Sequence, residues 1–237
     1  AELAKKRARE MGADLCGIGS MDRFEGAPPE MDPRYIFPEA KSIIGLGFRI
    51  HRGSWRGIEE GTHFGIYPAL GYANVNDVHA PLMMRNFGNF IEDAGYEAVL
   101  YANIVARYSG PGWGAPVREG QPGPDVHLHF RIAGVICGMG AIGWSKIFLT
   151  PEFGPRQRLN FVFTDAELEP DPILEPSLCN QCGACSRCCP AEAIPRDDAE
   201  TVTIAGKEMS WCNLREGRCG IGFQAANPQL NPFLHGG

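Results

Sequence analysis

Apolar and polar positions in the first two thirds of the chain follow a helical period in some stretches and form short apolar runs in others. Three helices are predicted, at residues 1–11, from Asn76 or Asp77 to about Ala94, and from Val126 to about Cys137. The apolar runs predict four strands, at residues 13–19, 42–48, 96–101 and 159–164. Helices and strands therefore mix in an α/β or α+β manner before the cysteine-rich tail.

Two stretches of this first part lack periodicity. The stretch that runs on to Tyr72 after the second strand is rich in glycine and aromatic residues, and residues 109–124 are rich in turn formers. We predict loops for both, the second lining or capping a pocket, with a linker as the alternative. Beyond Leu168 the chain turns to proline, cysteine, glycine and polar residues, which indicates a small domain held by a metal. The predicted fold is α+β, with one domain over residues 1–167 and a second over 168–237.

Composition narrows the class of protein. The chain has 237 residues, 44% of them hydrophobic, a formal charge of -6 and no run of Lys or Arg, so nothing points to nucleic-acid binding. No apolar stretch approaches the ~20 residues that cross a bilayer. The charged opening, AELAKKRAREM, is unlike a signal peptide, so a cytoplasmic location is expected. Seven of the nine cysteines fall between Cys179 and Cys219, which favours a metal centre over disulfides.

The cysteine spacing carries the most specific chemical signal. Cys179, Cys182, Cys185 and Cys189, followed by Pro190, spell C-x2-C-x2-C-x3-C-P, the spacing of bacterial ferredoxin ligands. Three thiolates on a tight loop can bind three irons of one 4Fe–4S cluster, while the fourth commonly serves a second cluster. A zinc site is the alternative, although zinc ligands usually form two separated C-x2-C pairs.

The sequence leaves open whether the chain binds a second cluster. Cys212 and Cys219 follow, but a complete second motif needs cysteines where Gly222 and Asn227 stand, and Cys188 could supply one replacement. The candidate metal ligands are therefore Cys179, Cys182, Cys185, Cys188, Cys189, Cys212 and Cys219. Cys16 and Cys137 sit in apolar segments and are interpreted as small buried residues.

Several segments resemble one known family. The run GMGAIGWSKIFLTPEFGPRQRLNFVFTDAELEPDP, directly before the cysteine motif, is similar to the core of cobalamin-dependent reductive dehalogenases and epoxyqueuosine reductases. AKKRAREMGADLCGIGSMDRF, PEAKSIIGLGF and FIEDAGYEAVLYANI resemble further family segments. The resemblance implies a nitroreductase-like α/β domain that binds a corrinoid, followed by a ferredoxin-like domain that supplies its electrons.

The resemblance also implies a wall for the corrinoid. Glycines at 138, 140 and 143 let backbone approach a large flat cofactor, with packing as the alternative explanation. Residues of the PEFGPR segment would continue this wall, and Arg156 or Arg158 is available for polar groups of the cofactor. The predicted cofactor-binding residues are Gly138, Gly140, Gly143, Phe153, Gly154 and Arg156.

Two proton donors are implied in the same way. Asp125 stands where epoxyqueuosine reductases have an aspartate donor, and Tyr72, or alternatively Tyr108, could serve as the tyrosine donor of dehalogenases. His127 and His129 beside Asp125 are candidate acids, bases or metal ligands, with a surface or packing role as the alternative.

Three functions remain open at this point. The first is an iron–sulfur oxidoreductase that passes single electrons to cobalamin for reductive chemistry. The second is an electron-transfer or corrinoid-activating accessory protein, and the third is a scaffold that holds flavin or nothing. An electron donor such as ferredoxin or flavodoxin is the expected partner, and the substrate could be a halogenated compound, a nucleoside in tRNA or a corrinoid protein.

Overall fold

The computed structural model describes residues 1–107, 114–175 and 177–223. Tyr108 and Asn227 lie outside the described residues, as does part of the loop predicted for 109–124. The α-helices are α1 (Glu2–Glu10), α2 (Arg56–Glu59), α3 (Ala80–Asp93), α4 (Phe130–Ile136), α5 (Ala184–Cys188) and α6 (Glu216–Phe223). The strands are β1 (Leu15–Ser20), β2 (Ser42–Arg49), β3 (Ala98–Tyr101), β4 (Ala141–Ile142), β5 (Phe148–Leu149), β6 (Gln157–Thr164), β7 (Ala199–Ile204) and β8 (Lys207–Cys212).

Four strands form the central sheet, in the order β1-β2-β6-β3, and each neighbouring pair is antiparallel. This mixture of helices with an antiparallel sheet agrees with the predicted α+β class and excludes a parallel α/β sheet. Gly17 in β1 faces Gly45 in β2 across the sheet. A Cβ on Gly17 would lie 2.3 Å from the carbonyl oxygen of Cys137, so glycine is needed there for the end of α4 to approach the sheet.

The two faces of the sheet bury separate apolar clusters. Ile18, Leu46 and Val162 pack towards α1 and α3 on one face. Ile43, Phe161 and Phe163 pack towards α4 on the other face. These positions alternate along each strand, as expected for a sheet covered on both sides. Burial of each such side chain stabilises the fold by roughly 1.5–3 kcal/mol.

The helix predicted to begin at Asn76 or Asp77 begins earlier. Both residues lie inside a π-helical segment, Tyr67–His79, which leads directly into α3, and α3 has no side-chain cap. The cap prediction is wrong because the chain never leaves the helical region between the two elements. The predicted loop is also wrong in part, since Arg52–Trp55 forms a 3₁₀ turn before α2 and the π-helical segment follows.

The cysteine-rich tail packs against the main core. Ile204 and Trp211 of the β7–β8 hairpin belong to the same apolar cluster as Ile136 and Phe148. The linking segment is anchored as well, because the Asp171 carboxylate accepts a hydrogen bond from the backbone N–H of Ile18 at 2.8 Å. The tail therefore contributes apolar side chains of its own to the fold. A domain boundary after residue 167 stays a prediction.

Candidate metal centre and candidate active site

The first three cysteines of the motif lie on a tight turn. Gly183 adopts a left-handed conformation with φ of 71°, which turns the chain into α5. The side-chain oxygen of Asn180 accepts the backbone N–H of Cys182 at 3.2 Å, and Arg187 donates to the Cys182 carbonyl at 3.1 Å. Local hydrogen bonds thus fix this turn.

Trp144, in the glycine-rich segment after β4, connects two of the cysteines. Its backbone N–H donates to the sulfur of Cys179 at 3.3 Å, and its carbonyl oxygen accepts the backbone N–H of Cys212 at 2.9 Å. Its indole N–H donates to the carbonyl of Pro195 at 2.8 Å. One residue of the glycine-rich segment therefore holds the start of the motif next to the end of β8.

The remaining tail cysteines occupy different surroundings. Cys188 is exposed at the end of α5, whereas the sulfur of Cys189 accepts the backbone N–H of Ala193 at 3.3 Å. Cys219 lies in α6, half-buried, and lines a cavity. Within 1–107, 114–175 and 177–223, no three His, Cys, Asp or Glu side chains converge on a point where one ion would sit.

The spacing of the thiols along the chain, and not their placement in the structure, matches an iron–sulfur cluster. A 4Fe–4S cluster spreads four thiolates over four irons, and hydrogen bonds to the sulfurs tune its potential. Cys179 and Cys189 each accept such a bond from a backbone N–H. Amide N–H groups aimed at sulfur stabilise the thiolate form that binds iron.

Of the other two cysteines, Cys137 is buried and Cys16 is partly exposed. Cys137 is fully buried and its thiol donates to the carbonyl of Ile43 at 3.6 Å. Burial raises the pKa of Cys16 to about 12. Both groups therefore stay protonated at neutral pH, in agreement with the interpretation of these residues as small apolar ones.

A polar cluster surrounds Tyr72 on the face of the sheet that packs on α3. The guanidinium carbon of Arg158, in β6, lies 4.6 Å from the centre of the Tyr72 ring. Arg158 Nε donates to the amide oxygen of Asn76 at 3.0 Å, and Arg158 Nη2 donates to the amide oxygen of Asn103 at 3.3 Å. The side-chain oxygen of Asn160 accepts the backbone N–H of Asn103 at 2.7 Å.

Two amide groups in this cluster keep unused donors. The Nδ2 atoms of Asn76 and Asn160 are buried, and no partner contacts them in the described part of the chain. Buried amide groups usually have partners, because leaving one unsatisfied costs about 1–3 kcal/mol. Together with Arg158 they form a site rich in donors beside a phenol. Such unused donors are suited to binding an acceptor group.

Asp125 has a different setting. It is half-buried, and its negative charge, together with burial as the larger effect, raises the pKa of Tyr101. The Tyr101 hydroxyl accepts the backbone N–H of Leu128 at 3.2 Å, on the face that packs on α4. The partners of Asp125 and those of Tyr72 thus lie on opposite faces of the sheet, so the two predicted donors do not share one site.

The two histidines after Asp125 differ in role. Nδ1 of His129 accepts the backbone N–H of Ile132 at 3.3 Å and caps α4. Burial lowers the pKa of His129, and the positive charges of Arg131 and Lys146 lower it further. The backbone N–H of His127 donates to the carbonyl of Glu30 at 2.8 Å. The packing alternative therefore accounts for His129.

The glycines of the predicted corrinoid wall lie close to other parts of the chain. A Cβ on Gly140 would lie 2.0 Å from the carbonyl oxygen of Leu149, and one on Gly138 would lie 2.4 Å from the carbonyl oxygen of Pro172. A Cβ on Gly143 would meet the Leu149 side chain at 2.9 Å. Close packing within the chain accounts for glycine at 140 and 143, whereas Gly138 also lines the cavity beside α1.

A cavity of about 1080 Å³ lies between α4, the hairpin and α6. Its lining is largely apolar and includes Phe24 and Ile204, with the paired Lys146 and Glu200 on one wall and Cys219 beside them. A second cavity, of about 530 Å³, lies beside α1 and the segment around Asp171. Neither cavity is lined by Phe153, Gly154 or Arg156, which therefore stay predictions.

Sequence reasoning missed three residues of the polar cluster, namely Asn76 as a buried group, Asn103 and Asn160. Asn160 is fully buried inside the apolar run LNFVFT. A polar residue at the centre of a buried strand is uncommon unless it has a specific partner. The polar Asn160 in this apolar run was therefore the feature of the sequence that indicated a specific partner.

Comparisons with known proteins agree with this fold. No family model matches the chain. A tetrachloroethene reductive dehalogenase from Dehalobacter restrictus is 30% identical over 116 residues, which are 48% of this chain and 19% of the relative. Another, from Sulfurospirillum multivorans, is 40% identical over 86 residues, which are 33% of this chain and 17% of the relative. The chain thus spans about a fifth of the length of the curated relatives that it matches.

Solved structures share the fold across nearly the whole chain. A catabolic reductive dehalogenase superposes with a TM-score of 0.65 and 18% identity over 93% of this chain and 28% of its own. Epoxyqueuosine reductase from Streptococcus thermophilus gives 0.59 and 17% over 86% of this chain and 55% of its own. The fold is that of the reductive dehalogenases and epoxyqueuosine reductases. The family resemblance seen in the sequence is confirmed, and these relatives are enzymes.

Proposed function

We propose that this chain is the catalytic and electron-transfer part of a reductase that acts on an organohalide. The motif thiolates hold a 4Fe–4S cluster that supplies single electrons, and Tyr72 supplies the proton. One observation carries the redox part, which is that backbone N–H groups point at the sulfurs of Cys179 and Cys189. Such bonds stabilise bound thiolates and tune the potential of a cluster.

Tyr72 is preferred as the acid because of its neighbours. Proton transfer from a phenol leaves a phenolate, and a cation within about 4–6 Å stabilises that anion. The Arg158 guanidinium carbon lies 4.6 Å from the centre of the Tyr72 ring, and the guanidinium is held in place by Asn76 and Asn103. The charge of Asp125 acts instead on Tyr101, on the other face of the sheet. The proton donor is therefore assigned to the tyrosine.

The substrate class follows from the relatives. The relatives found by sequence are tetrachloroethene reductive dehalogenases. Replacing a carbon–halogen bond by carbon–hydrogen consumes two electrons and one proton and releases a halide ion. The cluster in the tail supplies the electrons, and Tyr72 supplies the proton. The positive charge of Arg158 stabilises the leaving halide. A tRNA substrate, as in one epoxyqueuosine reductase complex, is less suited to a chain with a charge of -6.

Cobalamin enters this proposal from the relatives alone. One solved dehalogenase is described in terms of B12-dependent dehalogenation. Of the glycines expected to contact a corrinoid, Gly140 and Gly143 pack against Leu149, while Gly138 lines the cavity beside α1, so a contact with the cofactor stays a prediction. Cobalt content measured together with iron tests whether this chain binds a corrinoid at all.

An accessory function is the second candidate. A complete second motif is absent because Gly222 stands where a cysteine is needed, which suits a protein that passes electrons without its own substrate chemistry. The distinguishing experiment is anaerobic chloride release from tetrachloroethene by the reduced protein, with and without added cobalamin. Chloride release supports the reductase. A protein loaded with iron that releases no chloride from any organohalide tested, yet reduces a corrinoid protein, supports the accessory function instead.

A further inference from the structure

Asn160 is a fully buried polar residue of β6, two residues after Arg158. Because side chains alternate along a strand, Arg158, Asn160 and Val162 lie on the same face of the sheet. Val162 packs in the apolar cluster on the side of α3. Asn160 therefore occupies a position in this row where an apolar side chain is the usual choice.

The side chain of Asn160 is bonded to the chain where β3 ends. The last pair of the β3–β6 ladder joins Tyr101 to Phe161, and the chain then turns into a 3₁₀ segment, Asn103–Arg107. The amide oxygen of Asn160 accepts the backbone N–H of Asn103 at 2.7 Å. A side chain of β6 thus supplies the acceptor that the ladder no longer provides. This bond fixes the first residue of the 3₁₀ segment.

Asn103 carries this constraint on to Arg158. The amide oxygen of Asn103 accepts a hydrogen bond from Nη2 of Arg158 at 3.3 Å, and that of Asn76 accepts one from Nε at 3.0 Å. Bonds to two separate segments fix the plane of the guanidinium, whose carbon lies 4.6 Å from the centre of the Tyr72 ring. Without the bond to Asn103, the guanidinium is free to turn about the bond that remains.

The amide group of Asn160 opposes folding in one respect. Its Nδ2 is buried and has no hydrogen-bond partner within residues 1–107, 114–175 and 177–223. A buried donor without a partner costs stability. Leucine, which is similar in size, lacks this unused donor but cannot accept the N–H of Asn103. The useful atom of the side chain is therefore its oxygen.

We infer that Asn160 is a positioning residue, which acts through Asn103 to hold the Arg158 guanidinium over Tyr72. The inference rests on the proposed function, in which this cation stabilises the phenolate left by proton transfer. The cation acts on a charge that develops during the reaction. Loss of its correct placement therefore lowers kcat more than it changes KM.

The test compares variants of the full chain by anaerobic chloride release from tetrachloroethene. Asn160→Leu removes the accepting oxygen, and kcat is expected to fall about tenfold or more with little change in KM. Asn160→Asp keeps an accepting oxygen and is expected to stay within about threefold of the wild-type kcat. Val162→Ala, in the same row of β6, is the control for lost stability. It is expected to unfold at a lower urea concentration and to keep the wild-type kcat.

A double variant tests the path from Asn160 to Arg158. Asn103→Ala is expected to lower kcat by a factor similar to that of Asn160→Leu, and the two changes together to lower it no further than either alone. Losses that multiply in the double variant would overturn the inference. A wild-type kcat in Asn160→Leu, or an equal loss in Asn160→Asp, would overturn it as well.

The placement of the guanidinium is also measured without turnover. In protein with isotopically labelled arginine, the side-chain hydrogens of Arg158 are expected to exchange slowly with water, because Asn76 and Asn103 hold them. Faster exchange in Asn160→Leu and Asn103→Ala, but not in Val162→Ala, supports the inference, and unchanged exchange overturns it.

Two further provisions keep the outcomes distinct. If Asn160→Leu does not fold, Asn160→Ser takes its place in both measurements, since the shorter side chain does not reach Asn103. A wild-type protein that carries iron but releases no chloride overturns the proposed function alone, because the exchange measurement still decides whether Asn160 places Arg158.

Discussion

The guanidinium of Arg158 lies over the ring of Tyr72, with 4.6 Å between its central carbon and the ring centre. Arg158 comes from β6 and Tyr72 from the π-helical segment, so the contact joins the sheet to the helix that covers it. π-Helical turns are frequent at functional sites because the extra residue redirects side chains. Here the segment brings both Tyr72 and Asn76 into contact with one cation.

Removing the Tyr72 hydroxyl tests its role as the acid. Tyr72→Phe keeps the ring under Arg158 but cannot give up a proton, so turnover is expected to fall about 10²-fold or more. Initial rates of chloride release measure this, with iron content as the check that the cluster is intact. Tyr96→Phe, at an exposed tyrosine after α3, is the matched control and is expected to keep the wild-type rate.

Asp125→Asn tests the competing donor. Because Asp125 lies beside Tyr101 rather than beside Arg158, turnover is expected to change by less than about tenfold. The same assay of chloride release applies. A large loss in Asp125→Asn, with Tyr72→Phe unaffected, would show that the carboxylate is the donor and that the tyrosine assignment is wrong.

Gly140→Ala separates packing from cofactor binding. The new methyl group would lie 2.0 Å from the Leu149 carbonyl oxygen, so the free energy of unfolding is expected to fall by about 1–3 kcal/mol. Urea unfolding of the protein measures this. Gly53→Ala, where a Cβ meets no atom within 4 Å, is the control and should change little. Unchanged stability with loss of cobalamin binding would instead restore Gly140 to the corrinoid wall.

The stability of the tail is expected to depend on pH through the Glu200 carboxyl. Hydrogen bonds from Lys146 and then Trp211 lower the pKa of the Glu200 carboxyl below its ordinary value of 4.5. A lowered pKa contributes stability above the unfolded value, and that contribution is lost as pH falls through the folded value. Since the carboxylate is partly exposed, the effect is about 0.5 kcal/mol.

The variant Glu200→Gln isolates this contribution. At pH 7 it is expected to be less stable than the wild type in urea, and the difference should shrink as the pH falls below about 4. A difference that stays constant over this range would mean that the carboxylate charge does not attach the hairpin to Lys146.

Much of the central sheet could be predicted from single stretches of sequence. The runs around Ile43 and Phe161 are apolar without alternation because both faces of the sheet are covered. The start of α3 could not be predicted in this way. The local sequence indicates Asn76 as a helix cap, yet its side chain accepts a hydrogen bond from Arg158, which is distant in sequence. Tertiary contact overrode local preference there.

The candidate sites also contain parts that the sequence could predict and parts that it could not. Spacing alone indicated Cys179, Cys182 and Cys185, because ligands on one turn have a fixed separation in sequence. The link from Cys179 through Trp144 to Cys212 joins three separate segments of the chain, so no periodic pattern in the sequence indicates it. The glycines of the GMGAIG run present a different difficulty. Glycine is needed both where the chain approaches its own backbone and where it approaches a cofactor, so the sequence does not distinguish the two.

The most direct test of the account is the iron, acid-labile sulfide, cobalt and zinc content of the wild-type protein purified without oxygen, beside Cys182→Ala. We expect about four irons and as many sulfides per chain in the wild type, and little of either in Cys182→Ala. Zinc in the tail of the wild type, or no metal at all, would contradict the proposal that these thiolates carry electrons.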